Sequence, residues 1–341
     1  MLVILFIFCF TGCKEEINSQ PANSGVEKRI EKSAAASATS TTVCCWISCT
    51  NSGTKSIEVW DPYDNPWTAS NMKWSWKPTT ALGYSATAEI PLWKGLTDVK
   101  VRNNTVFGVP QVIIATALRF VTIATYPGGV RKWSCGFAAG ATVHSAEILP
   151  NGNCIVANSE TGNGYIRIFS SSQPPPNHGV NHIYPFQFAH SVLWDATHSC
   201  LWAVGTTLRK YAVTGTAADP TLTLLSEYPL PTAGGHDISA YTRDSNLMWV
   251  ATIGGIYIFN KTAGTYTAMS GAAQNIDVKG ISDQPVLPQI IESIQDRVTF
   301  PDKVATNTIK AFDLTTGAQV AYRTVPGAVF YKCKTFDPYY Y

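Results

Sequence analysis

Short runs of alternating apolar and polar residues recur along the chain, and turn residues separate them. One kind of run ends on an aromatic residue, at positions 56–60, 165–169, 207–211, 255–259 and 308–312, with 120–123 as a degenerate copy. Runs of this length that are rich in branched and aromatic side chains predict strands, and the chain has few helical signals. The pattern therefore predicts an all-β protein.

The strand pattern belongs to a larger repeat. His144, His190 and His236 each stand before a short apolar run, and they follow one another at intervals of 46 residues. Four strand-like runs per unit and six units of about 40 to 50 residues predict a six-bladed β-propeller. A seven-bladed ring is the alternative, with the extra blade in the poorly patterned stretch 81–93. We interpret that stretch as a loop insertion.

The two ends of the repeated region complement each other. The first unit begins at Val43-Cys-Cys-Trp46 and lacks an inner strand, whereas the last unit is followed by an extra strand-like run at 329–335. Pairing this C-terminal strand with the N-terminal blade would close the ring and remove exposed sheet edges. The sequence thus predicts one propeller domain over residues 43–341.

The N-terminal segment has the features of an export signal. Residues 1–10 are almost wholly apolar, too short for a membrane-spanning helix, and Thr11-Gly12-Cys13 follows, which resembles the bacterial lipobox. We therefore predict a signal peptide over 1–12, a lipidated Cys13 and a flexible tether to residue 42. Lys14-Glu15-Glu16 resembles an acidic outer-membrane export tag. The predicted location is the bacterial cell envelope, with the lipid as the membrane contact; a buried first strand is the alternative.

Net charge and cysteine count limit the classes of partner and of cysteine chemistry that the sequence supports. The 341 residues carry 25 basic and 23 acidic side chains, so overall charge gives no argument for nucleic acid. Nine cysteines are present, and seven remain after Cys9 and Cys13. An odd number without CxxC spacing argues against a disulfide framework and a zinc ribbon. Cys154 and Cys200 occupy equivalent repeat positions, and we predict that both are buried apolar residues.

Candidate chemistry lies where the first strand of each blade opens onto the central channel. Around the ring these positions are Lys100 or Arg102, His144, His190, His236, Lys279, and Tyr331 or Lys332. The register of the second blade stays open, since one alignment places Arg102 opposite His144 and another places Asp98 there. The alternative to a functional site is a purely structural role, in which the repeated polar residues fill a solvated channel.

This set of side chains suits an anionic sugar. Lys100, Arg102, Lys279 or Lys332 would neutralise a uronate carboxylate, a histidine would remove the neighbouring proton, and Tyr331 or a second histidine would protonate the leaving oxygen. The expected partner is an acidic polysaccharide or oligosaccharide, and the candidate reaction is β-elimination. A divalent metal held by His144, His190 and His236 is a further candidate. A non-catalytic surface glycan-binding or scaffold protein is the alternative, with Trp67, Trp74 and Trp93 as candidate stacking platforms.

Several motifs together resemble a known family. They are His144-Ser-Ala-Glu-Ile-Leu-Pro-Asn-Gly152, Ala189-His-Ser-Val-Leu-Trp-Asp195 with Leu201-Trp-Ala-Val-Gly205, Gly234-Gly-His-Asp-Ile238, Val278-Lys-Gly-Ile281 and Gly327-Ala-Val-Phe-Tyr-Lys332. As a set they resemble DUF6528, an uncharacterised bacterial and fungal propeller-like family, which implies the fold and no activity. A more distant analogy is to propeller-fold rhamnosyl-glucuronate and oligogalacturonate lyases, whose polar channel mouths also hold histidines. That analogy transfers no residue roles.

Overall fold

The structure, a computed structural model, describes residues 45–160, 162–174 and 179–341. The predicted signal peptide, Cys13 and the tether to residue 42 lie outside the described residues. The described chain forms six four-stranded antiparallel sheets arranged around a central channel, which confirms the predicted six-bladed propeller. Within the described ranges, no helix is long and apolar enough to cross a membrane.

Five of the blades are meanders of four consecutive strands, with the first strand innermost, and the blade that begins the chain has three consecutive strands and a fourth from the C-terminal end. The strands of the first three blades are β1 (Ile47–Asn51), β2 (Ser56–Trp60), β3 (Trp74–Trp76); β4 (Leu96–Asn103), β5 (Gln111–Ala117), β6 (Phe120–Thr125), β7 (Arg131–Gly136); and β8 (Val143–Ile148), β9 (Cys154–Asn158), β10 (Tyr165–Phe169), β11 (Asn181–Pro185). Those of the last three are β12 (Ser191–Asp195), β13 (Cys200–Val204), β14 (Thr207–Gly215), β15 (Pro220–Pro229); β16 (Gly235–Ala240), β17 (Leu247–Thr252), β18 (Ile256–Asn260), β19 (Thr265–Ala268); and β20 (Val278–Asp283), β21 (Gln289–Ile294), β22 (Thr308–Asp313), β23 (Gln319–Thr324).

The final strand, β24 (Phe330–Thr335), closes the ring as predicted. It pairs antiparallel with β1 and becomes the innermost strand of the first blade, giving the order β24-β1-β2-β3. A chain that closes in this way leaves no inner strand unpaired, because its first and last segments complete one sheet between them.

The connection between β3 and β4 is a loop insertion, as interpreted from the sequence. It contains two short 3-10 helices, Thr80–Leu82 and Ile90–Leu92, and adds no seventh blade. The stacking platforms expected at Trp67 and Trp93 are wrong, because both side chains are buried in apolar clusters. Trp74 packs against the rings of Tyr126 and Phe336.

The core consists of apolar layers between neighbouring blades. Every residue of the second strands β9 and β13 is buried. Such strands are covered on both faces by adjacent sheets, so they show near-continuous apolar runs instead of a simple alternation. Cys154 and Cys200 lie within these layers and are buried, as predicted. The rigid blades thereby fix the inner strands that line the channel.

Candidate functional site

A β-bulge near the start of the inner strand recurs around the ring. In four blades the register with the second strand shifts by one residue, and the unpaired residues are Thr97, His144, His236 and Lys279. A bulge turns the extra side chain out of the regular alternation and is common beside functional sites. In these four blades, the bulge therefore explains why one polar side chain points away from the sheet.

The remaining two blades place a polar residue at the same level. In the closing blade, the register between β1 and β24 shifts where Tyr331 and Lys332 lie opposite Thr50. In the fourth blade, His190 directly precedes β12, and its backbone N–H donates to the carbonyl of Val204 at 2.9 Å. Tyr331 and His190 therefore complete a ring of inner-strand residues at one end of the channel.

These residues line an open cavity of about 860 Å³. We call it the histidine mouth and define it by His144, His190, His236, Lys279, Tyr331, Thr97, Phe188 and Glu160. Among the described residues that line it, Lys279 is the one lysine or arginine and Glu160 the one acid. Apolar side chains fill much of the remaining wall, including Leu96, Leu118 and Ile253.

The three histidine rings are in mutual contact. The rings of His144 and His190 stack with centroids 4.0 Å apart and an angle of 14°, and the ring of His236 meets that of His190 edge-on at 5.3 Å. Stacked imidazoles aim their in-plane nitrogens along separate lines, so they do not converge on one ion. Over the described part of the chain, no group of three potential ligands is arranged for a metal. The metal site considered from the sequence does not fit this geometry.

Phe188 holds His190 in place. Its backbone has φ 61°, a left-handed conformation that costs energy for a residue with a β-carbon. In this conformation its carbonyl accepts a hydrogen bond from His190 Nδ1 at 3.0 Å, while its ring lies 4.1 Å from the imidazole. We assign the His190 proton to Nδ1, which leaves the Nε2 lone pair unused by the protein within the described contacts. Sequence reasoning missed Phe188, although it stands two residues before a predicted site histidine.

Two further hydrogen bonds tie the cation and the phenol to the histidines. Lys279 Nζ lies 3.1 Å from His236 Nε2 and 3.4 Å from Asp277 Oδ1. Asp277 is shared, since its other oxygen accepts from Arg297 at 2.8 Å. Tyr331 Oη lies 3.1 Å from His144 Nδ1. The ammonium of Lys279 is thus held at the mouth by groups that leave its charge only partly compensated.

Burial keeps the three histidines and the tyrosine of the mouth uncharged. Burial, together with nearby Lys279 and Lys332, lowers the pKa of His190 to about 3 and that of His236 to about 2. The pKa of His144 also lies well below its usual value, again chiefly through burial. Burial lowers the pKa of Lys279 to about 8 against the opposing effect of Asp277, and it raises the pKa of Tyr331. At neutral pH the mouth therefore offers neutral imidazoles, a phenol and one ammonium.

Lys100, Arg102 and Lys332 do not line the histidine mouth, which corrects their expected placement. The bulge of the second blade is at Thr97, so neither alignment considered from the sequence was right for that blade. Beyond the bulge, strand alternation turns Lys100 and Arg102 into the channel itself, at a deeper level. Lys332 follows Tyr331 and likewise points inward, where its Nζ contacts Asp237 Oδ1 at 3.1 Å.

These cations belong to a buried network that fills the channel, which we call the plug: Lys100, Arg102, Lys332 and Lys334 with Asp98, Glu147 and Asp237. Arg102 donates to both oxygens of Glu147 at 2.8 Å, and Lys100 Nζ lies 3.4 Å from the same carboxylate. Burial by itself would raise the pKa of Asp98, but Lys334, Lys332 and Lys100 lower it to about 2. Four cations face three carboxylates, so the plug has a net positive charge below the mouth.

The opposite end of the channel is nearly closed. Its cavity measures about 70 Å³ and is lined partly by the C-terminal residues Tyr339, Tyr340 and Tyr341. The ring of Tyr340 lies 5.3 Å from the Arg102 guanidinium carbon, and the Ala196 N–H donates to the Tyr341 carbonyl at 2.7 Å. Ligand access through this end is therefore restricted by the chain's own C-terminal segment.

The fold and the mouth define a six-bladed propeller with a polar pocket at one end of a plugged channel. The family described as "Family of unknown function (DUF6528)" matches residues 4–286, and the chain belongs to it.

A solved structure from Bacteroides shows the same fold at low sequence identity. A protein of unknown function from Bacteroides caccae superposes with a TM-score of 0.57 and 12% identity, covering 85% of this chain and 98% of its own. A functionally unknown protein from Desulfotomaculum acetoxidans gives 0.49 and 10% identity, with 82% and 80% coverage. No functionally curated protein matches this sequence.

Proposed function

We propose that the protein binds an acidic glycan at the histidine mouth, through a single uronate unit. The observation that carries this proposal is the position of Lys279, which is buried at the mouth and only partly compensated by Asp277. A carboxylate that reached Lys279 would gain a charge-assisted hydrogen bond in a partly desolvated site. The expected cationic cluster is reduced to this one residue, so one carboxylate per site suits the mouth better than a dense polyanion.

The surroundings of Lys279 suit the rest of a sugar ring. Neutral imidazoles, the Tyr331 hydroxyl and the Glu160 carboxylate offer both donors and acceptors for hydroxyl groups. The Phe188 ring and the apolar wall offer contact surface for the C–H face of a pyranose. The net positive charge of the plug adds a longer-range attraction for an anion.

Cleavage of the bound glycan by β-elimination is the second candidate function. His190 favours it, because hydrogen bonding of Nδ1 to Phe188 leaves the Nε2 lone pair for the C5 proton. As that C5–H bond breaks and the C4–C5 double bond forms, the C4–O4 bond breaks and Tyr331 protonates O4. A pKa of about 3 makes His190 a weak base at neutral pH, however. We therefore rank binding above catalysis.

We further propose that the protein is exported and held in the cell envelope through a lipid on Cys13. The lipobox-like Phe10-Thr11-Gly12-Cys13 supports this part of the proposal. Labelling of cells with a fatty-acid analogue should tag the wild-type protein and leave Cys13→Ala untagged, with Cys9→Ala as the matched control. Equal labelling of Cys13→Ala and wild type would contradict lipidation at this residue.

Binding is tested by affinity electrophoresis of the wild-type protein in gels containing uronate polysaccharides. The comparison gels contain the same polymers after chemical reduction of their carboxyl groups to hydroxyls. We expect at least one uronate polymer to retard the protein and its carboxyl-reduced form to do so much less. Equal retardation by the two forms, or none with any polymer, would rule out uronate recognition.

Elimination is tested on the polymer that binds. Absorbance at the unsaturated-uronate band would rise over time if the protein is a lyase. The rise should then be lost in His190→Ala and in Tyr331→Phe. Constant absorbance with a polymer that retards the wild-type protein would exclude elimination on that polymer. The proposal would then be binding alone.

A further inference from the structure

Two cysteines face each other across the strand pair that closes the ring. Cys49 of β1 lies directly opposite Cys333 of β24 in the antiparallel register. Phe336 N–H donates to the Trp46 carbonyl at 2.7 Å, whereas Cys333 N–H donates sideways to Ser293 Oγ at 3.2 Å. Trp46 and Phe336 therefore form a hydrogen-bonded pair, and such pairs alternate with non-hydrogen-bonded pairs along antiparallel strands. Cys49 and Cys333 lie three positions further along, so they form a non-hydrogen-bonded pair.

That kind of pair brings side chains close together. Its Cα atoms are typically about 4.5 Å apart, inside the range of about 4.4 to 6.8 Å that disulfides span. The two thiols already contact each other through a side-chain hydrogen bond, and both are fully buried. The buried Cys154 and Cys200 differ in this respect, because they lie opposite Phe169 and Asp195 in their sheets.

We propose that Cys49 and Cys333 form a disulfide when the chain folds under oxidising conditions. The bond joins the first and last strands of the propeller and so locks the ring covalently. The odd number of cysteines argued against a framework in which all of them are paired. A single bond between Cys49 and Cys333 is compatible with that number, because the other cysteines stay free. The proposal is independent of any ligand at the histidine mouth.

The oxidant is a disulfide, either a small one such as oxidised glutathione or that of a protein disulfide oxidoreductase. The thiolate of one cysteine attacks the oxidant's disulfide, forms a mixed disulfide and releases one thiol. The second cysteine's thiolate then attacks the mixed disulfide, closes the Cys49–Cys333 bond and releases the second thiol. The two cysteine protons end on the two released thiols.

The timing of the reaction follows from the burial of the pair. Burial raises the pKa of both thiols and shields them, so they react poorly once the ring is closed. We expect oxidation as β24 docks onto β1, before solvent is excluded. Treatment of a chain that has already folded in reducing buffer should therefore produce the bond much more slowly.

The experiment folds the full chain with a mixture of reduced and oxidised glutathione and, in parallel, with reducing agent. Free thiols are blocked with N-ethylmaleimide in denaturant, and peptides are mapped by mass spectrometry without reduction. We expect a linked peptide pair containing Cys49 and Cys333 in the oxidised sample, with Cys154 and Cys200 alkylated. Finding Cys49 and Cys333 both alkylated, or either one linked to a different cysteine, would overturn the proposal.

Stability supplies a second readout. The oxidised chain should melt on the order of 5 to 10 °C above the reduced chain, because the bond restricts the unfolded ensemble. Cys333→Ala should abolish this difference between oxidising and reducing buffers, and Cys154→Ala should retain it. A linked chain that melts at the same temperature as the reduced chain would contradict a locking role.

Discussion

The two levels of the channel use the same inner strands for different purposes. At the histidine mouth, bulged residues such as His144, His236 and Lys279 line a cavity and form no ion pairs with one another. Inside the plug, residues on the regular alternation, such as Lys100 and Glu147, are buried and paired with opposite charges. A shift of one residue in register thus separates groups with spare hydrogen-bonding capacity from groups that are already satisfied.

This difference distinguishes two explanations of a repeated polar position. Polar residues that only fill a channel should find partners within the protein, as Arg102 does with both oxygens of Glu147. The mouth instead keeps neutral imidazoles in a desolvated stack and holds Phe188 in a strained backbone conformation. Strain and incomplete pairing that persist in a folded protein are typical of ligand sites.

The largest effect is expected from breaking the plug at Glu147. Glu147→Gln removes the carboxylate that Arg102 and Lys100 share, and it leaves two buried cations without their main partner. Loss of one member of a buried ion network costs about 3 to 5 kcal/mol. Denaturant unfolding of the variant should therefore show a midpoint far below that of the wild type.

The matched control for this change is Glu227→Gln on β15. Glu227 pairs with Arg209 at 3.1 Å at the protein surface, where solvent screens the pair, so the expected loss is at most about 1 kcal/mol. If Glu147→Gln were as stable as this control, the plug would not be a structural element.

Much of this architecture could be predicted from the sequence, because it rests on local periodicity. The strand runs and the 46-residue spacing of His144, His190 and His236 were enough for the six-bladed ring and its closure. The same spacing is why the structure brings these three histidines together: equivalent repeat positions occupy equivalent places around a ring.

The depth of each residue in the channel could not be predicted in the same way. It depends on bulges, which are set by twist and packing between sheets and leave no reliable mark on a single sequence. Thr97 occupies the bulge of the second blade although no histidine marks it, and the error shifted Lys100 and Arg102 to the wrong level. Phe188 was missed because a left-handed loop residue is visible only in the backbone.

The next effect tests the mouth itself, at Lys279. Lys279→Met keeps the length and packing of the side chain but removes the ammonium that we propose for the uronate. A hydrogen bond to a charged group contributes about 1.5 to 3 kcal/mol, so affinity for the retained polymer should fall about tenfold to a hundredfold. Isothermal titration with an oligosaccharide of that polymer gives the change in Kd.

Lys132→Met is the control for this change, because Lys132 lies exposed on the outer strand β7. It makes the same substitution far from the channel and should leave Kd unchanged. Equal losses of affinity in the two variants would indicate non-specific charge attraction and would remove Lys279 from the site.

A smaller effect should appear in the pH dependence of stability. Unfolded histidine binds a proton below about pH 6.5, whereas folded His236, buried beside Lys279 and Lys332, stays neutral until about pH 2. The unfolded state therefore gains protons first on acidification, and stability falls as the pH drops below 6.5. The contribution of His236 to this fall is at most about 1.4 kcal/mol per pH unit.

The measurement compares wild type and His236→Asn in denaturant titrations from pH 7.5 to 5.5, above most of the range in which carboxylates titrate in unfolded chains. Asparagine does not titrate, so the free energy of unfolding of the variant should fall less steeply with acidification. The difference between the two proteins should be constant above about pH 7 and should change steadily below pH 6.5. Parallel curves over the whole range would show that His236 is protonated equally in both states.

The smallest change in affinity is expected at Phe188, where substitution can test the role of the ring apart from that of the backbone conformation. Phe188→Ala removes the ring but keeps a β-carbon at φ 61°, so the strain of the left-handed conformation and the carbonyl that fixes His190 are both retained. Aromatic contacts contribute about 0.5 to 1.5 kcal/mol beyond their buried area, which predicts a several-fold rise in Kd for the oligosaccharide. Phe188→Tyr keeps the ring and should bind nearly as the wild type does. If Phe188→Ala bound the oligosaccharide as tightly as the wild type, the ring would not be the stacking surface, and that surface would have to be assigned to the imidazoles instead.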